Sequence, residues 1–394
     1  MSNHSWLNDP LSYLIGPISH KEFFASYHEQ TSLHCTHNKR DHFADLLTID
    51  RVDEIISTSE LPPGSLQMAR TEPSISRANY TFSNGNIDRG AVIRHYQQGA
   101  TVILPQLHLA DENLAHFCRA MENQFSTLVQ TNIYLTPPGN QGFNTHYDDH
   151  DVFVIQVVGE KHWRLYQKPI ENPYRGEKFK LNTHDVGEPE QEFLLKMGDC
   201  VYIPRGLMHD AVGHADEPSL HITVGLIVKS WADFMLESLS EVAMRNSKFR
   251  RSLPPGFARE NFHSQEATDY FAQLIDDYKQ QADFAEVFEL FKQNCVKQSA
   301  PDLRGGLLNE SIELSEGDQF IRRKNSQALL RHDDEEVVIV CAGGDVHFDL
   351  AALPGLQSAF SNEAFSLKAF VSLEYDEARG VLKKLIAFGL IERQ

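Results

Sequence analysis

The residues of this chain best suited to chemistry lie around position 146. His146 and Asp148 stand two residues apart before the apolar run VFVIQVV, and His209 lies downstream in PRGLMHD. In a strand, residues two apart point to the same face, and an imidazole from a later strand would complete a set of two histidines and one carboxylate. Such a set occupies one face of an octahedral Fe(II) and leaves the opposite face open. The spacing therefore predicts a non-haem iron site.

Other histidines compete with His209 for the third position. His214 is its nearest rival, and His221 in SLHITVG suits either the surroundings of the metal or the core. The group at 34–37 offers ligand atoms without the paired spacing of a zinc finger, which favours ordinary polar surface. The competing histidines near the site are His150, His162, His184, His214 and His221.

A fixed cation is the second feature that this chemistry requires. Iron oxygenases of this class bind a dicarboxylic co-substrate, and a carboxylate inside a barrel needs a cation to offset its lost hydration. Lys161 begins the strand that follows the predicted ligand strand. Asn132 and Tyr134 alternate on the preceding strand and face the same way, so they could hydrogen-bond the same molecule. Ordinary strand packing is the other interpretation of this pair.

The composition is that of a globular protein with several domains. At 394 residues the chain is too long for one core, so two or three domains are expected. Its net charge of −19 disfavours direct DNA binding and favours a basic partner, although solubility alone could explain it. The apolar runs are too short to span a membrane, and no secretory signal is visible. Five scattered cysteines without a CxxC pair favour reduced thiols and a cytoplasmic location.

Hydrophobic patterns predict an α+β chain in three parts. Residues 1–230 contain helical segments and then, from about 127 to 229, short strands typical of an antiparallel sandwich or small barrel. Residues 231–315 are helical, with an apolar stripe that suits a core or a dimer face. Residues 316–394 have strands in DQFIRR and EEVVIVCAG and helices in NEAFSLKAFVS and DEARGVLKKLIAFGLIE. This last order resembles a winged helix.

The segment HYDDHDVFVIQVVGEKHWRLY resembles the JmjC-type ribosomal oxygenases, which are Fe(II)- and 2-oxoglutarate-dependent hydroxylases of ribosomal proteins. The resemblance is specific over residues 130–229 and looser outside them. It implies a double-stranded β-helix (jelly-roll, cupin) oxygenase domain with an N-terminal α/β decoration, followed by a helical dimerisation segment and a winged-helix-like domain. It also implies a homodimer.

Carried over position by position, the resemblance assigns roles to seven residues. Lys161 would bind the distal carboxylate of 2-oxoglutarate, and Asn132 and Tyr134 match co-substrate positions. Gly225 stands where some relatives carry a small hydroxyl residue, so Thr223 could supply that hydrogen bond instead. The iron ligands would be His146, Asp148 and His209.

The function implied by the resemblance is hydroxylation of an arginine or histidine side chain in a basic ribosomal protein, with Fe(II), 2-oxoglutarate and O2. A JmjC-type lysine demethylase shares this chemistry but often has cysteine-rich zinc modules, which the sequence lacks. A cupin of another kind, such as a metal-dependent isomerase, usually uses more histidines and lacks the lysine. A catalytically silent scaffold that binds ribosomal proteins would differ in having no turnover.

Overall fold

The computed structural model describes residues 4–180, 183–214, 216–309, 314–361 and 363–394. They form two compact units, Met1–Val228 and Lys229–Gln394, each with its own core. The predicted boundary between residues 230 and 231 lies two residues beyond this division. The further boundary between 315 and 316 stays a prediction. Among the described residues, no helix is both long enough and apolar enough to cross a membrane.

The first unit combines helices at its N-terminal side with a series of strands. Its helices are α1 (Pro10–Ile15), α2 (His20–Ser26), α3 (Ile49–Thr58), α4 (Arg89–Gln97) and α5 (Glu112–Phe125). Its strands are β1 (Leu33–Cys35), β2 (Gln67–Ala69), β3 (Thr101–Pro105), β4 (Leu128–Thr136), β5 (Asp151–Val158), β6 (Glu160–Leu165), β7 (Gln191–Lys196), β8 (Cys200–Ile203), β9 (His209–Gly213) and β10 (Ser219–Ile227).

Two antiparallel sheets build the centre of this unit. The larger has the strand order β1-β8-β5-β10-β4-β3-β2, and the smaller has the order β7-β6-β9. Neighbouring strands run antiparallel throughout both sheets. Side chains from both sheets, among them Val154 and Trp163, form one apolar cluster between them. The sheets thus enclose an interior, and the predicted double-stranded β-helix is confirmed.

Strand β5 shows why the sequence around the site is so apolar. Phe153 and Ile155 belong to the core that the larger sheet forms with the N-terminal helices. Val152 and Val154 belong to the cluster shared with the smaller sheet. Successive side chains of a strand point to opposite faces, so a sheet covered on both sides requires a continuous apolar run. Strand β5 begins three residues after Asp148, so this buried strand fixes the end of the His146–Asp148 segment.

Helix α5 covers the larger sheet and contains a buried carboxyl group. Asp111 caps its start by accepting a hydrogen bond from the Leu114 N–H at 3.2 Å. Glu122, in the last turn, is only 7% exposed, and its Oε1 accepts a hydrogen bond from the Val129 N–H at 3.2 Å. Burial raises the pKa of Glu122 to about 7.

The raised pKa of Glu122 predicts that this residue lowers the free energy of unfolding at high pH. The folded protein binds the proton more tightly than the unfolded chain, whose glutamates have a pKa of about 4.3. The stability that this group contributes is therefore present below about pH 4 and is lost as the pH rises through 7. We expect Glu122→Gln, which can still accept from Val129, to raise the free energy of unfolding by up to about 3 kcal/mol at pH 8 and by much less at pH 5. Urea unfolding at both pH values measures this, and an equal gain at each would contradict it.

The second unit begins with helices and continues with small sheets. Its helices are α6 (Trp231–Arg245), α7 (Gln265–Gln281), α8 (Phe284–Gln298), α9 (Gly306–Asn309), α10 (Leu353–Ala359) and α11 (Tyr375–Ala387). Its strands are β11 (Phe320–Arg322), β12 (Ala328–His332), β13 (Glu336–Cys341), β14 (Gly344–Asp349) and β15 (Ile391–Arg393). The strands pair as β12-β13-β14 and β11-β15. Helices α10 and α11 pack with these strands around one apolar core.

The sequence patterns of this unit are only partly confirmed. The predicted strands in DQFIRR and EEVVIVCAG are β11 and β13, and DEARGVLKKLIAFGLIE contains α11. The helix predicted in NEAFSLKAFVS is wrong, because among its described residues only Leu367–Ala369 form a short 3-10 turn. Phe365 and Leu367 are buried there two residues apart, and a single helix face would not bury such a pair. The winged-helix-like assignment stays a prediction.

Candidate active site

The three predicted metal ligands come together in the first unit. The ligand atoms of His146, Asp148 and His209 all lie within 4.8 Å of one another. His209 Nε2 lies 3.8 Å from Asp148 Oδ2. Two metal bonds of about 2.1 Å each can span such a distance. The structure thus places these three side chains where one ion could contact them all.

Backbone contacts orient both imidazole rings. His146 Nδ1 lies 2.8 Å from the Asn144 carbonyl oxygen, and His209 Nδ1 lies 3.0 Å from the Leu207 carbonyl oxygen. A carbonyl only accepts, so each Nδ1 carries the proton and each Nε2 keeps a free lone pair. Metal-binding histidines typically have their second nitrogen held in this way.

The ligand segments also pair directly through their backbones. The His209 N–H donates to the His146 carbonyl at 2.7 Å, and the His146 N–H donates to the His209 carbonyl at 3.1 Å. This isolated bridge lies before β5. His146 and Asp148 therefore occupy an extended segment before the strand, whereas the sequence suggested a place within it. His209 is the first residue of β9.

A cavity of about 290 Å³ opens beside the three ligands. Both sheets contribute to its wall, so it lies inside the β-helix. The larger sheet supplies mainly Thr101, Tyr134, Thr136, Val152, Val154, His221 and Thr223, and the smaller sheet supplies Lys161, Trp163, His209, Asp210 and Ala211. Phe143, His146 and Asp148 line it from the segment before β5.

Lys161 lies in this wall as a buried cation. It occupies the second position of β6 and is 5% exposed. Burial lowers the pKa of Lys161 to about 7, because a charged amine loses its hydration in the interior. No described carboxylate forms an ion pair with it. An anion bound in the cavity would provide the missing counter-charge.

Three aromatic side chains line the same cavity as Lys161 and carry further polar atoms: Tyr134, Trp163 and His221. Tyr134 stacks on His221 with ring centroids 4.7 Å apart and an angle of 8° between the planes. Burial raises the pKa of Tyr134 and lowers that of His221, so both are neutral. His221 Nδ1 and Trp163 Nε1 are buried and have no hydrogen-bond partner among the described residues. Buried polar atoms without partners are rare in folded proteins, so this wall is suited to a polar ligand.

Not every predicted pocket residue reaches the cavity. Thr223 lines it, opposite Asn132 in the register of β10 and β4. Asn132 is absent from the lining, because its Oδ1 accepts a hydrogen bond from the Gln106 N–H at 3.2 Å. Its predicted contact with a co-substrate is therefore not supported by its position. A Cβ at Gly225 would lie 2.7 Å from the His150 ring, so that ring occupies the space of a side chain there.

Among the described residues, none of the rival histidines joins the ligand group. His214 is near Asp216 at 3.8 Å, and His162 is near Glu192 at 3.4 Å, both on the surface. His221 lines the cavity but does not join the ligand group, which among the described residues contains only His146, Asp148 and His209 at this place. In the segment at 34–37, Cys35 is buried in the core.

Asp210 is a functional residue that the sequence analysis missed. Its carboxylate accepts hydrogen bonds from Thr145 Oγ1 at 2.6 Å, Arg164 Nε at 2.7 Å and the Tyr166 hydroxyl at 2.7 Å. It thereby ties the residue before His146 to the strand that begins with His209. The HD dipeptide at 209 and 210 was the only sequence signal for this role. Thr101 and Thr136, joined through their hydroxyls at 3.1 Å, were also missed.

The donor set fits a divalent iron ion. Two imidazole nitrogens and one carboxylate leave several coordination positions open, which is the arrangement of non-haem Fe(II) sites. The open side faces a cavity with a buried amine and unpaired polar atoms. These features suit a metal that also binds a small anionic ligand.

Comparison with known proteins agrees with this geometry. Residues 103–234 match the family model of the JmjC domain. The bifunctional lysine-specific demethylase and histidyl-hydroxylase NO66 of Drosophila grimshawi is 31% identical over 256 residues, which cover 62% of this chain and 35% of that protein. Ribosomal oxygenase 1 of Danio rerio is 28% identical over 254 residues, which cover 63% of this chain and 46% of that protein. The chain thus spans less than half the length of these two relatives.

Solved structures extend the likeness to nearly the whole chain. The Escherichia coli ribosomal oxygenase YcfD is 16% identical with a TM-score of 0.55, and the match covers 96% of this chain and 98% of that chain. At this identity the match establishes a shared fold. Residues 103–234 are thus similar to the JmjC domain, and over about three fifths of its length the chain is similar to NO66 and ribosomal oxygenase 1.

Proposed function

We propose that this protein is an Fe(II)- and 2-oxoglutarate-dependent dioxygenase that hydroxylates an arginine or histidine side chain of a ribosomal protein. One observation carries the proposal: His146, Asp148 and His209 converge at a cavity that also contains the buried Lys161. A metal triad alone would suit many cupins. The added cation makes the cavity suitable for a dicarboxylate beside the metal.

Known relatives support this choice of chemistry. NO66 of Dictyostelium discoideum, 31% identical over 263 residues that cover 63% of this chain and 50% of that protein, is named a bifunctional lysine-specific demethylase and histidyl-hydroxylase. YcfD has been solved with cobalt and 2-oxoglutarate and with cobalt and succinic acid. Those ligands are the metal substitute, the co-substrate and the co-product that an enzyme of the proposed kind would bind.

The residues of the site have distinct tasks in this mechanism. His146, Asp148 and His209 would hold Fe(II), and the backbone contacts at Nδ1 of the two histidines leave each Nε2 atom available as a ligand. Iron, when bound, would supply the chemistry that divides O2 between two products, with one oxygen atom entering succinate as 2-oxoglutarate loses CO2 and the other forming the hydroxyl group of the substrate. Lys161 binds the distal carboxylate of 2-oxoglutarate. The walls from Val152, Val154 and Trp163 exclude water from the reacting groups.

The substrate assignment follows from charge and from the relatives. A chain with a net charge of −19 attracts basic proteins over long distances, and ribosomal proteins are basic. The reducing surroundings of a cytoplasmic ribosome suit the five free cysteines. We therefore place the protein in the cytoplasm.

Mass spectrometry of ribosomal proteins tests the proposed function. Proteins from cells that lack this enzyme should be incubated with it, Fe(II) and 2-oxoglutarate, and compared with a reaction that contains Asp148→Ala. We expect one ribosomal protein to gain the mass of one oxygen atom on an arginine or histidine. Loss of a methyl group from a lysine would instead identify a demethylase. Absence of any change on ribosomal proteins would contradict the substrate assignment.

Homodimer formation is the proposed assembly state, and the helices of the second unit support it. Trp231 and Leu236 on α6 are 73% and 68% exposed, and Phe271 on α7 is 64% exposed. Large apolar side chains in such number on neighbouring helices typically mark an interface. We expect light scattering to give twice the chain mass of 44.8 kDa.

The variant Leu236→Glu/Phe271→Glu should shift the protein to monomers, because buried carboxylates oppose association. The control Val371→Glu changes another apolar residue, 77% exposed and outside these helices, and should remain dimeric. A monomeric parent protein would contradict the proposed assembly.

A further inference from the structure

A buried ion-pair network joins the first residue of β5 to the turn between β8 and β9 and does not line the cavity. Arg205 Nη1 lies 2.7 Å from Glu29 Oε1 and 3.1 Å from Asp151 Oδ2. The Arg205 N–H also donates to Asp151 Oδ1 at 2.8 Å. The Arg205 side chain is 7% exposed and the Asp151 side chain is fully buried. We call these three residues the Arg205 clamp.

The Arg205 clamp is not itself a metal site. His28, Glu29 and Asp151 bring ligand atoms within 4.8 Å of one another, which is compatible with an ion. The guanidinium of Arg205 already contacts both carboxylates of this group. A divalent cation would have to displace the guanidinium group. The two carboxylates already have a positive partner and need no metal ion.

The position of the Arg205 clamp along the chain gives it a role in the active site. Asp151 follows the ligand Asp148 by three residues, and Arg205 precedes the ligand His209 by four. The clamp thus joins the two ligand-bearing segments. Glu29 adds a third segment, because its N–H donates to the Tyr202 hydroxyl at 2.9 Å and fixes it against β8.

The turn that contains Arg205 contacts both ligands through its backbone. The Gly206 N–H donates to the Asp148 carbonyl oxygen at 3.0 Å. The Leu207 carbonyl oxygen lies 3.0 Å from His209 Nδ1 and orients that ring. Gly206 has a φ of +84°, and a Cβ there would lie 2.2 Å from the Ile170 carbonyl oxygen, so the turn is tightly enclosed. A displacement of Arg205 would therefore move both the Gly206 N–H that contacts Asp148 and the Leu207 carbonyl that contacts His209.

We infer that Arg205 and Asp151 are positioning residues, which set the separation of Asp148 and His209 and thereby the affinity of the site for its metal. A buried ion pair gives little net stability, because desolvation offsets the attraction of the charges. Its geometric effect is larger, since two hydrogen bonds from one arginine to one carboxylate fix the relative place of both segments. This inference rests on the proposed metal site.

The test compares metal affinity with stability. The apo-protein is titrated with Mn2+ alone by calorimetry, and thermal unfolding is recorded without metal. We expect Arg205→Met to weaken Mn2+ binding by about 10- to 100-fold, the usual effect of losing a residue that supports metal ligands. Arg205→Lys keeps the charge and should recover part of the affinity. Asp151→Asn can still accept the hydrogen bond from the Arg205 N–H and should also weaken Mn2+ binding. This variant provides the test if Arg205→Met does not fold.

The matched control is Arg323→Met in the second unit. Arg323 is equally buried, at 5% exposure, and pairs with Asp302 at 3.1 Å. Its loss should lower the unfolding temperature while leaving the Mn2+ dissociation constant within about twofold, as for distant independent sites. Parental affinity in Arg205→Met or in a folded Asp151→Asn, or an equal loss in Arg323→Met, would overturn the inference. A parent protein that binds no Mn2+ would contradict the proposed metal site itself.

Discussion

Replacement of Asp148 by alanine is expected to stop the conversion of 2-oxoglutarate to succinate. The carboxylate is the only anionic member of the triad, and its oxygen lies 3.8 Å from His209 Nε2. Without it, two neutral imidazoles would remain to hold a divalent cation in a partly buried site. We expect turnover to fall on the order of 10³-fold or more, the scale of losing a group on which the whole reaction depends. Succinate release from 2-oxoglutarate measures this directly.

The neighbouring Asp149 provides the control for Asp148→Ala. Its carboxylate accepts a hydrogen bond from the Gly176 N–H at 2.6 Å and lies 3.1 Å from His150 Nδ1, so it is turned away from the triad. Asp149→Asn keeps the shape of this side chain and should retain most of the turnover. Parental succinate formation by Asp148→Ala would refute the ligand assignment, as would an equal loss in Asp149→Asn.

Replacement of Lys161 by methionine is expected to weaken the use of 2-oxoglutarate selectively. Methionine keeps much of the volume of the side chain but removes the cation in the cavity wall. Loss of one partner from a buried charge pair costs about 3 kcal/mol, so the KM for 2-oxoglutarate should rise on the order of 10²-fold. A 2-oxo acid without the distal carboxylate should be used equally well by parent and variant. The ratio of the two KM values is the measurement.

The pH dependence of the KM for 2-oxoglutarate shows whether Lys161 acts through its charge or through its packing. With the pKa of Lys161 at about 7, its positive charge is lost as the pH rises above 7, so the KM for 2-oxoglutarate should increase there. His221 and Tyr134, which also face the cavity, are neutral and do not cancel this change. Lys161→Arg, charged at every pH, should remove the increase.

Lys196→Met provides the matched control for Lys161→Met. It replaces an exposed lysine on β7 and should leave the KM unchanged. A parental KM for 2-oxoglutarate in Lys161→Met would contradict the assignment.

The candidate metal ligands His146 and Asp148 could be selected from the sequence because their signal is local. His146 and Asp148 are two residues apart, and the apolar run after them has the length of a strand buried on both faces. Lys161 was proposed because it lies near the start of the next strand. Their convergence with His209 depends on strand pairing that the sequence does not display, and five other histidines competed for that position.

The remaining site residues depend on contacts between distant segments. Asn132 and Tyr134 were predicted to face the same way on one strand, yet the Asn132 side chain accepts a hydrogen bond from the Gln106 N–H, which no strand pattern reveals. Arg205 and Glu29 are 176 residues apart in the sequence, so their ion pair had no local signal. In the second unit, the spacing of apolar residues in NEAFSLKAFVS suggested a helix, whereas burial of Phe365 and Leu367 in the core favoured a turn.

The most direct test of the iron assignment is a crystal structure of the protein with Mn2+ and 2-oxoglutarate, grown without oxygen. We predict that an anomalous peak will locate one Mn2+ ion bonded to His146 Nε2, His209 Nε2 and a carboxylate oxygen of Asp148, at about 2.0–2.2 Å from each. The 2-oxoglutarate should chelate that ion, with its distal carboxylate at Lys161 Nζ. A metal bound elsewhere, or a triad that contacts no ion at saturating Mn2+, would contradict the account.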